Sequence, residues 1–250
     1  MTDSSLPDRA VHVWWAGLDD AHDGLARLLD PVERARLDAY ARPDDRHRFL
    51  LGCAVSRIAL GAYLGADPAD VGLVRQCPQC GGPHGKVRLR DAEGAGSIRF
   101  SVTHGGRLVG VAFCRAAEVG LDVEPTDQAV DVDELAPDVL TGRELAALAE
   151  GGTVADRRRD FLRFWCRKEA VVKALGVGMR TPFRRLEVTA PREQAAVVAW
   201  SEHPEAVGTT RLYELNVGPE HEACLAVLAP EPLTVVPRRA GALLRSWAAD

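Results

Sequence analysis

The chain lacks most of what would mark a secreted, membrane-spanning or nucleic-acid-binding protein. Lysine and arginine number 31 against 36 acidic residues, so the net charge is −5 and the basic surplus that tracks a phosphate backbone is missing. No apolar run is long enough to span a membrane. Met1 to Arg9 is polar, without the apolar core of a signal peptide, which predicts a cytoplasmic location. Six cysteines follow no regular framework and read as reduced thiols. Cys77-Pro78-Gln79-Cys80, with His84 beyond it, supplies half of a zinc ribbon, but the second Cys-x-x-Cys and a fourth ligand are missing. A Gly/Pro-rich loop with two small thiols is the simpler reading, ahead of a zinc-binding module. There is no low-complexity tract and no short repeat.

What is present suits a soluble protein with one large or two small domains: 46% hydrophobic and 27% charged over 250 residues. The pattern predicts a strand over Val11 to Trp15 and a helix over Ala21 to Leu29. A helix starting at Asp30-Pro31 should run to Tyr40, and a long one from Asp44 to Leu64. Val71 to Gln76 and Val87 to Leu89 read as strands. Ser97 to Thr103 and Leu108 to Cys114 read as a hairpin around His104-Gly105-Gly106-Arg107. A strand over Val119 to Val123 ends at Pro125. A helix capped near Thr141 and another over Arg158 to Leu175 follow. Strands at Leu186 to Thr189, Ala195 to Trp200, Arg211 to Val217 and Ala223 to Leu228 should complete an antiparallel sheet. The fold class expected is α+β, helices packed on antiparallel sheet. The runs Arg157-Arg158-Arg159 and Pro237-Arg238-Arg239 read as solvated surface, or as places to meet an acidic partner.

The chemistry concentrates in two segments, Gly120-Leu121-Asp122-Val123-Glu124 and Phe164-Trp165-Cys166-Arg167-Lys168-Glu169-Ala170-Val171-Val172-Lys173. Alternate strand residues share a face, so Asp122 and Glu124 project together and repel unless a cation or proton lies between them. Read alone, such a triplet is more often a solvated strand end. On the helix, Phe161, Phe164, Trp165, Val172 and Leu175 share an apolar stripe. Glu169 and Lys173 lie one turn apart on its flank, and Lys168 falls inside it, as expected where a helix edge lines a polar cleft. Three carboxylates and a lysine suit a magnesium ion holding a phosphorylated substrate.

These segments resemble the 4'-phosphopantetheinyl transferase superfamily, specifically its larger, surfactin-type branch. The likeness rests on Gly-Leu-Asp-Val-Glu, on Trp-Cys-Arg-Lys-Glu-Ala-Val-Val-Lys, on Phe100-Ser101-Val102-Thr103-His104-Gly105-Gly106-Arg107, and on the run from Asp30-Pro31 through Arg46-His47-Arg48-Phe49-Leu50-Leu51-Gly52. It extends from Asp30 to a little beyond Leu186. It implies two similar subdomains related by a pseudo-two-fold axis, residues 1–118 on the coenzyme A side and residues 119–250 carrying the metal carboxylates and catalytic helix, with the active site in the cleft between them.

The implied activity is that of a holo-[acyl-carrier-protein] synthase, a 4'-phosphopantetheinyl transferase. Such an enzyme moves the 4'-phosphopantetheine arm of coenzyme A to a serine of an apo acyl or peptidyl carrier protein of polyketide or nonribosomal peptide biosynthesis. Adenosine 3',5'-bisphosphate leaves and Mg2+ is required. The resemblance also implies a monomer, with no nucleic-acid or membrane partner. Asp122, Glu124 and Glu169 would ligate Mg2+, Glu169 would also serve as base, and Lys173 would stabilise the phosphates. Arg36, Arg48, Lys86, Thr103, His104 and Lys168, with Lys173, would bind coenzyme A. Glu33 and Phe49 depart from the pattern, standing where lysine and threonine can occur. The competing reading is a Mg2+-dependent phosphohydrolase acting on a nucleotide pyrophosphate with water as nucleophile.

Overall fold

The computed structural model describes residues 5–75, 81–82, 85–90, 97–115, 117–178 and 181–247. Cys77, Cys80 and His84 of the zinc-ribbon-like loop lie outside them. The chain divides into two units, Met1–Ala116 with Leu233–Asp250, and Ala117–Pro232.

The first unit opens with β1 (Ala10–Gly17). The helix expected over Ala21 to Leu29 is instead two 3-10 turns, Leu18–Asp20 and Asp23–Leu28. Leu25 and Leu28, three apart and both buried, eclipse on such a turn, which aims both inward. Helix α1 (Pro31–Asp38) starts where Asp30 accepts from the Glu33 amide and Pro31 needs no partner for a missing N–H. Helix α2 (Pro43–Leu64) stops at Gly65, whose φ of 67° is left-handed. A short ribbon, β2 (Leu73–Arg75) and β3 (Val87–Leu89), precedes the hairpin of β4 (Arg99–Gly105) and β5 (Leu108–Cys114). Its turn falls one residue later than expected, so His104 belongs to β4, opposite Val109. Leu50, Leu51, Ile58, Phe100 and Phe113 belong to one buried core.

The second unit is contiguous. Strand β6 (Val119–Pro125) leads to α3 (Val132–Val139), α4 (Gly142–Ala149) and α5 (Val154–Leu175). Helix α3 was not expected, and Pro137 inside it works against a helical pattern. Strands β7 (Leu186–Val188), β8 (Val197–Trp200), β9 (Thr210–Glu214) and β10 (His221–Leu228) follow. They do not form one sheet. The order β6-β10-β9 makes a three-stranded antiparallel sheet, and β7-β8 is a separate pair whose register shifts between Glu187 and Val188. A single bridge, Ala196 to Arg211, links the two among the described residues.

The tail returns to the first unit. Strand β11 (Thr234–Arg239) pairs in parallel with β1, and α6 (Gly241–Arg245) follows. The first sheet therefore runs β11-β1-β5-β4 and is mixed, not purely antiparallel. Residues 119–250 were expected to form one C-terminal part, and the Pro237-Arg238-Arg239 run to be tail surface. The tail instead joins the first unit, and the run lies at the surface within a strand, Pro237 and Arg239 exposed. Pro237 faces Val13 in the ladder, an edge position where its missing N–H costs nothing. Arg238 lies over the Trp14 ring, 5.5 Å from its centroid. Each unit packs helices against sheet, so the fold class is mixed α+β.

Candidate active site

Helix α5 is built to hold a fixed register. Thr153 and Asp156 cap its start reciprocally, and Gly176, at a φ of 74°, ends it. It packs on β6 and β10. The face of β6 that it covers carries Gly120, Asp122 and Glu124, and the cross-strand partners on β10 are Ala226, Cys224 and Glu222. Small residues at one end of this face let helix and strand backbones close together. A Cβ at Gly120 would lie 2.0 Å from the Ala170 carbonyl oxygen and 2.4 Å from the Ala174 nitrogen. The glycine of Gly-Leu-Asp-Val-Glu is thus a packing requirement of the helix that carries the lysine.

At the polar end, Lys173 donates to Asp122 Oδ1 at 2.6 Å. Burial alone would lower the pKa of Lys173, but the adjacent Asp122 carboxylate, with Glu169, raises it, so the ammonium stays charged. Glu169, expected at the helix edge on the flank of the apolar stripe, is buried. Burial pushes its pKa up, the Lys173 charge pulls it down, and Asp122 adds to the rise. Glu124 is raised to about 7, first by burial and then by Asp122, against the pull of Lys173 and a hydrogen bond from Trp165. The sequence reading missed that Trp165 reaches Glu124. It was assigned to the apolar stripe, and the clue was that the N–H of a partly buried indole needs an acceptor. Its ring meets Phe183 edge-on at 5.5 Å.

This charge arrangement has a measurable consequence. The folded-state pKa of Glu124 lies above its ordinary 4.5, so the folded protein keeps a proton that the unfolded chain has lost. Stability from this group is present at low pH and is lost as pH rises from about 4.5 through about 7. Glu124→Gln should therefore stabilise the protein at pH 8 by about 1–2 kcal/mol, allowing for its partial exposure, and by little near pH 4.5. Urea unfolding in EDTA at the two pH values checks this, and equal stabilisation at both would refute it.

Asp122, Glu124 and Glu169 are close enough to shift one another, but they do not form a finished metal cage. Among the described residues no three or more His, Cys, Asp or Glu side chains are gathered to hold an ion. The donor set still fits Mg2+, which needs only one or two carboxylates when waters and substrate phosphates complete its shell. Two carboxylates on one strand face, one with its charged form destabilised, meet that need.

Lys168 spends its ammonium on the protein's own groups. It is fully buried and donates to Glu144 Oε2 at 2.5 Å, the Val139 carbonyl at 2.8 Å and the Phe183 carbonyl at 2.9 Å, which uses all three ammonium hydrogens. Glu144 in turn accepts from the Thr141 and Val188 amides. The lysine ties α5 to α3, α4 and the segment before β7. A coenzyme A-binding role for it is not carried forward.

In the first unit, Arg48 donates to the Gly106 carbonyl at 2.5 Å and to Asp45 Oδ1 at 2.6 Å. That bond to Arg48 is the main cause of the lowered Asp45 pKa, to which His104 also contributes. Arg48, Asp45 and His104 are thus neighbours at the start of α2. Thr103 is buried while His104 is exposed, because successive strand residues face opposite ways, so the two do not share a face of β4. Arg36 lies over the Phe49 ring at 5.2 Å, and Tyr40 tilts against the same ring at 5.4 Å. Lys86 is half-buried just before β3. Glu33 is structural: it is fully buried, 2.7 Å from Arg57 and 3.2 Å from Arg75. Its departure from the family pattern is thereby explained.

Fold and site define a mixed α+β protein with an acidic cluster and one lysine held between a strand and a helix. The profile of the 4'-phosphopantetheinyl transferase superfamily matches residues 118–227. The 4'-phosphopantetheinyl transferase HetI of Nostoc sp. is 29% identical over 200 residues, 76% of this chain and 80% of HetI. The 4'-phosphopantetheinyl transferase Sfp of Bacillus subtilis is 26% identical over 220 residues, 87% of this chain and 91% of Sfp. The solved holo-[acyl-carrier-protein] synthase of Thermotoga maritima overlaps 46% of this chain and 64% of its own at 20% identity, with a TM-score of 0.35. The family profile and these relatives agree: the chain is similar to 4'-phosphopantetheinyl transferases over most of its length. Among the described residues, no helix is long and apolar enough to cross a membrane.

Proposed function

We propose that this protein transfers the 4'-phosphopantetheine arm of coenzyme A to a serine of an apo acyl or peptidyl carrier protein. It releases adenosine 3',5'-bisphosphate and acts in the cytoplasm as a monomer of the surfactin-type branch. The observation that carries the reading is the 2.6 Å contact between half-buried Lys173 and buried Asp122, with Glu124 raised to about 7 beside it. A cluster with more carboxylates than cations suits a divalent ion and a phosphorylated substrate better than it suits structure alone.

Asp122 and Glu124 would hold Mg2+, with Glu169 beside them. The ion, when bound, supplies positive charge to the pyrophosphate of coenzyme A. Glu169, whose pKa is raised by burial, is suited to accept the proton of the carrier serine hydroxyl as its oxygen attacks phosphorus. Lys173, kept protonated by Asp122, is suited to hydrogen-bond the leaving phosphate. Arg36, Arg48, Lys86, Thr103 and His104 are proposed for coenzyme A recognition. Arg48 is the best placed of these, because Gly106 and Asp45 fix its guanidinium.

The experiment is intact-mass spectrometry of an apo carrier protein incubated with this protein, coenzyme A and Mg2+. The expected result is a gain of roughly 340 Da, the mass of one phosphopantetheine arm, which EDTA prevents. Pyrophosphate cleavage that proceeds without a carrier, and leaves carriers unmodified, would replace this reading with the hydrolase.

A further inference from the structure

Strand register puts two carboxylates face to face in the second unit, Glu124 on β6 and Glu222 on β10. Like charges directly opposite in an antiparallel pair destabilise it unless something intervenes. Two arginines one turn apart on α5, Arg159 and Arg163, both choose Glu222. Arg159 donates to its Oε1, and Arg163 donates to its Oε2 at 3.0 Å. Arg159 also reaches the Pro219 carbonyl at 3.3 Å, and Arg163 lies 3.5 Å from Asp160. Both oxygens of Glu222 are thereby filled, and its side chain is 13% exposed. The cation that acts on Glu124 is Lys173.

We propose that Glu222 is a positioning residue for the metal site: it draws Arg159 and Arg163 onto itself and keeps Glu124 available to a divalent cation. A guanidinium released from Glu222 has a second carboxylate directly across the ladder. A bidentate arginine–carboxylate pair there would occupy the oxygens an ion needs. The clasp therefore separates two uses of negative charge, with Glu222 fastening α5 to β10 and Glu124 left for binding. This inference rests on the reading that Asp122 and Glu124 hold a divalent ion.

The test is Mn2+ binding to the full chain, followed by the EPR signal of the free ion, for wild type, Glu222→Gln and the triple variant Glu222→Gln/Arg159→Gln/Arg163→Gln. Expected are a dissociation constant roughly tenfold weaker for Glu222→Gln and recovery to within about twofold of wild type in the triple variant. A purely structural clasp would give no recovery, because the triple variant lacks every one of its contacts. Unchanged binding in Glu222→Gln, or a triple variant as weak as the single one, overturns the proposal while leaving the metal reading intact. Absence of Mn2+ binding by wild type overturns the metal reading and this inference together. Should Glu222→Gln fold poorly, Arg159→Gln/Arg163→Gln reads the same clasp from the other side. It should bind Mn2+ at least as tightly as wild type, and a loss there counts against the proposal.

Discussion

Gly120→Ala is expected to destabilise the second unit by about 3 kcal/mol or more, the upper end for an overpacked core. The atoms a new methyl would meet are backbone, the Ala170 oxygen at 2.0 Å and the Ala174 nitrogen at 2.4 Å. No rotamer change can relieve the clash, so β6 and α5 must separate. That movement takes Asp122 away from Lys173, a contact of 2.6 Å, so activity should fall even in molecules that remain folded. Thermal unfolding followed by circular dichroism provides the check. A variant that melts within a degree or two of wild type would show that α5 sits differently on the sheet.

The second large effect concerns Lys168. Replacing it with methionine keeps most of the volume and removes the ammonium. Glu144 would then be a buried carboxylate without its cation, and the Val139 and Phe183 carbonyls would each lose a donor. Breaking one side of such a pair costs about 3–5 kcal/mol. Burial lowers the Lys168 pKa while Glu144 opposes that, as expected for a pair that depends on both members. Adding Glu144→Gln to Lys168→Met should recover part of the loss, because the orphaned charge goes with it. Urea unfolding of the two variants measures this. If Lys168→Met melts like wild type but loses affinity for coenzyme A, the lysine faces substrate after all.

Local chemistry was the legible part of the sequence. Thr141 as a cap, Gly176 as a stop and the Asp30-Pro31 start all act within one helical turn, and all are found in place. Helix α5 begins earlier than expected, at Val154, because Thr153 and Asp156 cap it reciprocally ahead of the arginine run. The placing of Asp122 and Glu124 on one face followed from strand alternation alone. What could not be read depended on partners distant in sequence. Lys168 looked like a cation at a cleft until Glu144 was found beneath it, and nothing local joins those two positions. Glu222 meets Glu124 only through the β6–β10 register. Strand β11 carries little apolar alternation, and its role comes from lying beside β1.

That last pairing shapes how the chain must mature. Among the described residues, the strand pairings of the second unit, β6-β10-β9 and β7-β8, are all made before Pro232. Those of the first unit, although it begins earlier, are not. One edge of β1 waits for β11, and Arg27 waits for Trp247, whose ring it covers at 5.3 Å. On the ribosome the half synthesised second is therefore complete before the half synthesised first. Until then β1, with buried Val11 and Val13, presents an open sheet edge of the kind that invites pairing between chains. The closing segment carries a proline and two arginines, so once it is in place the new outer edge is poorly suited to accept another strand.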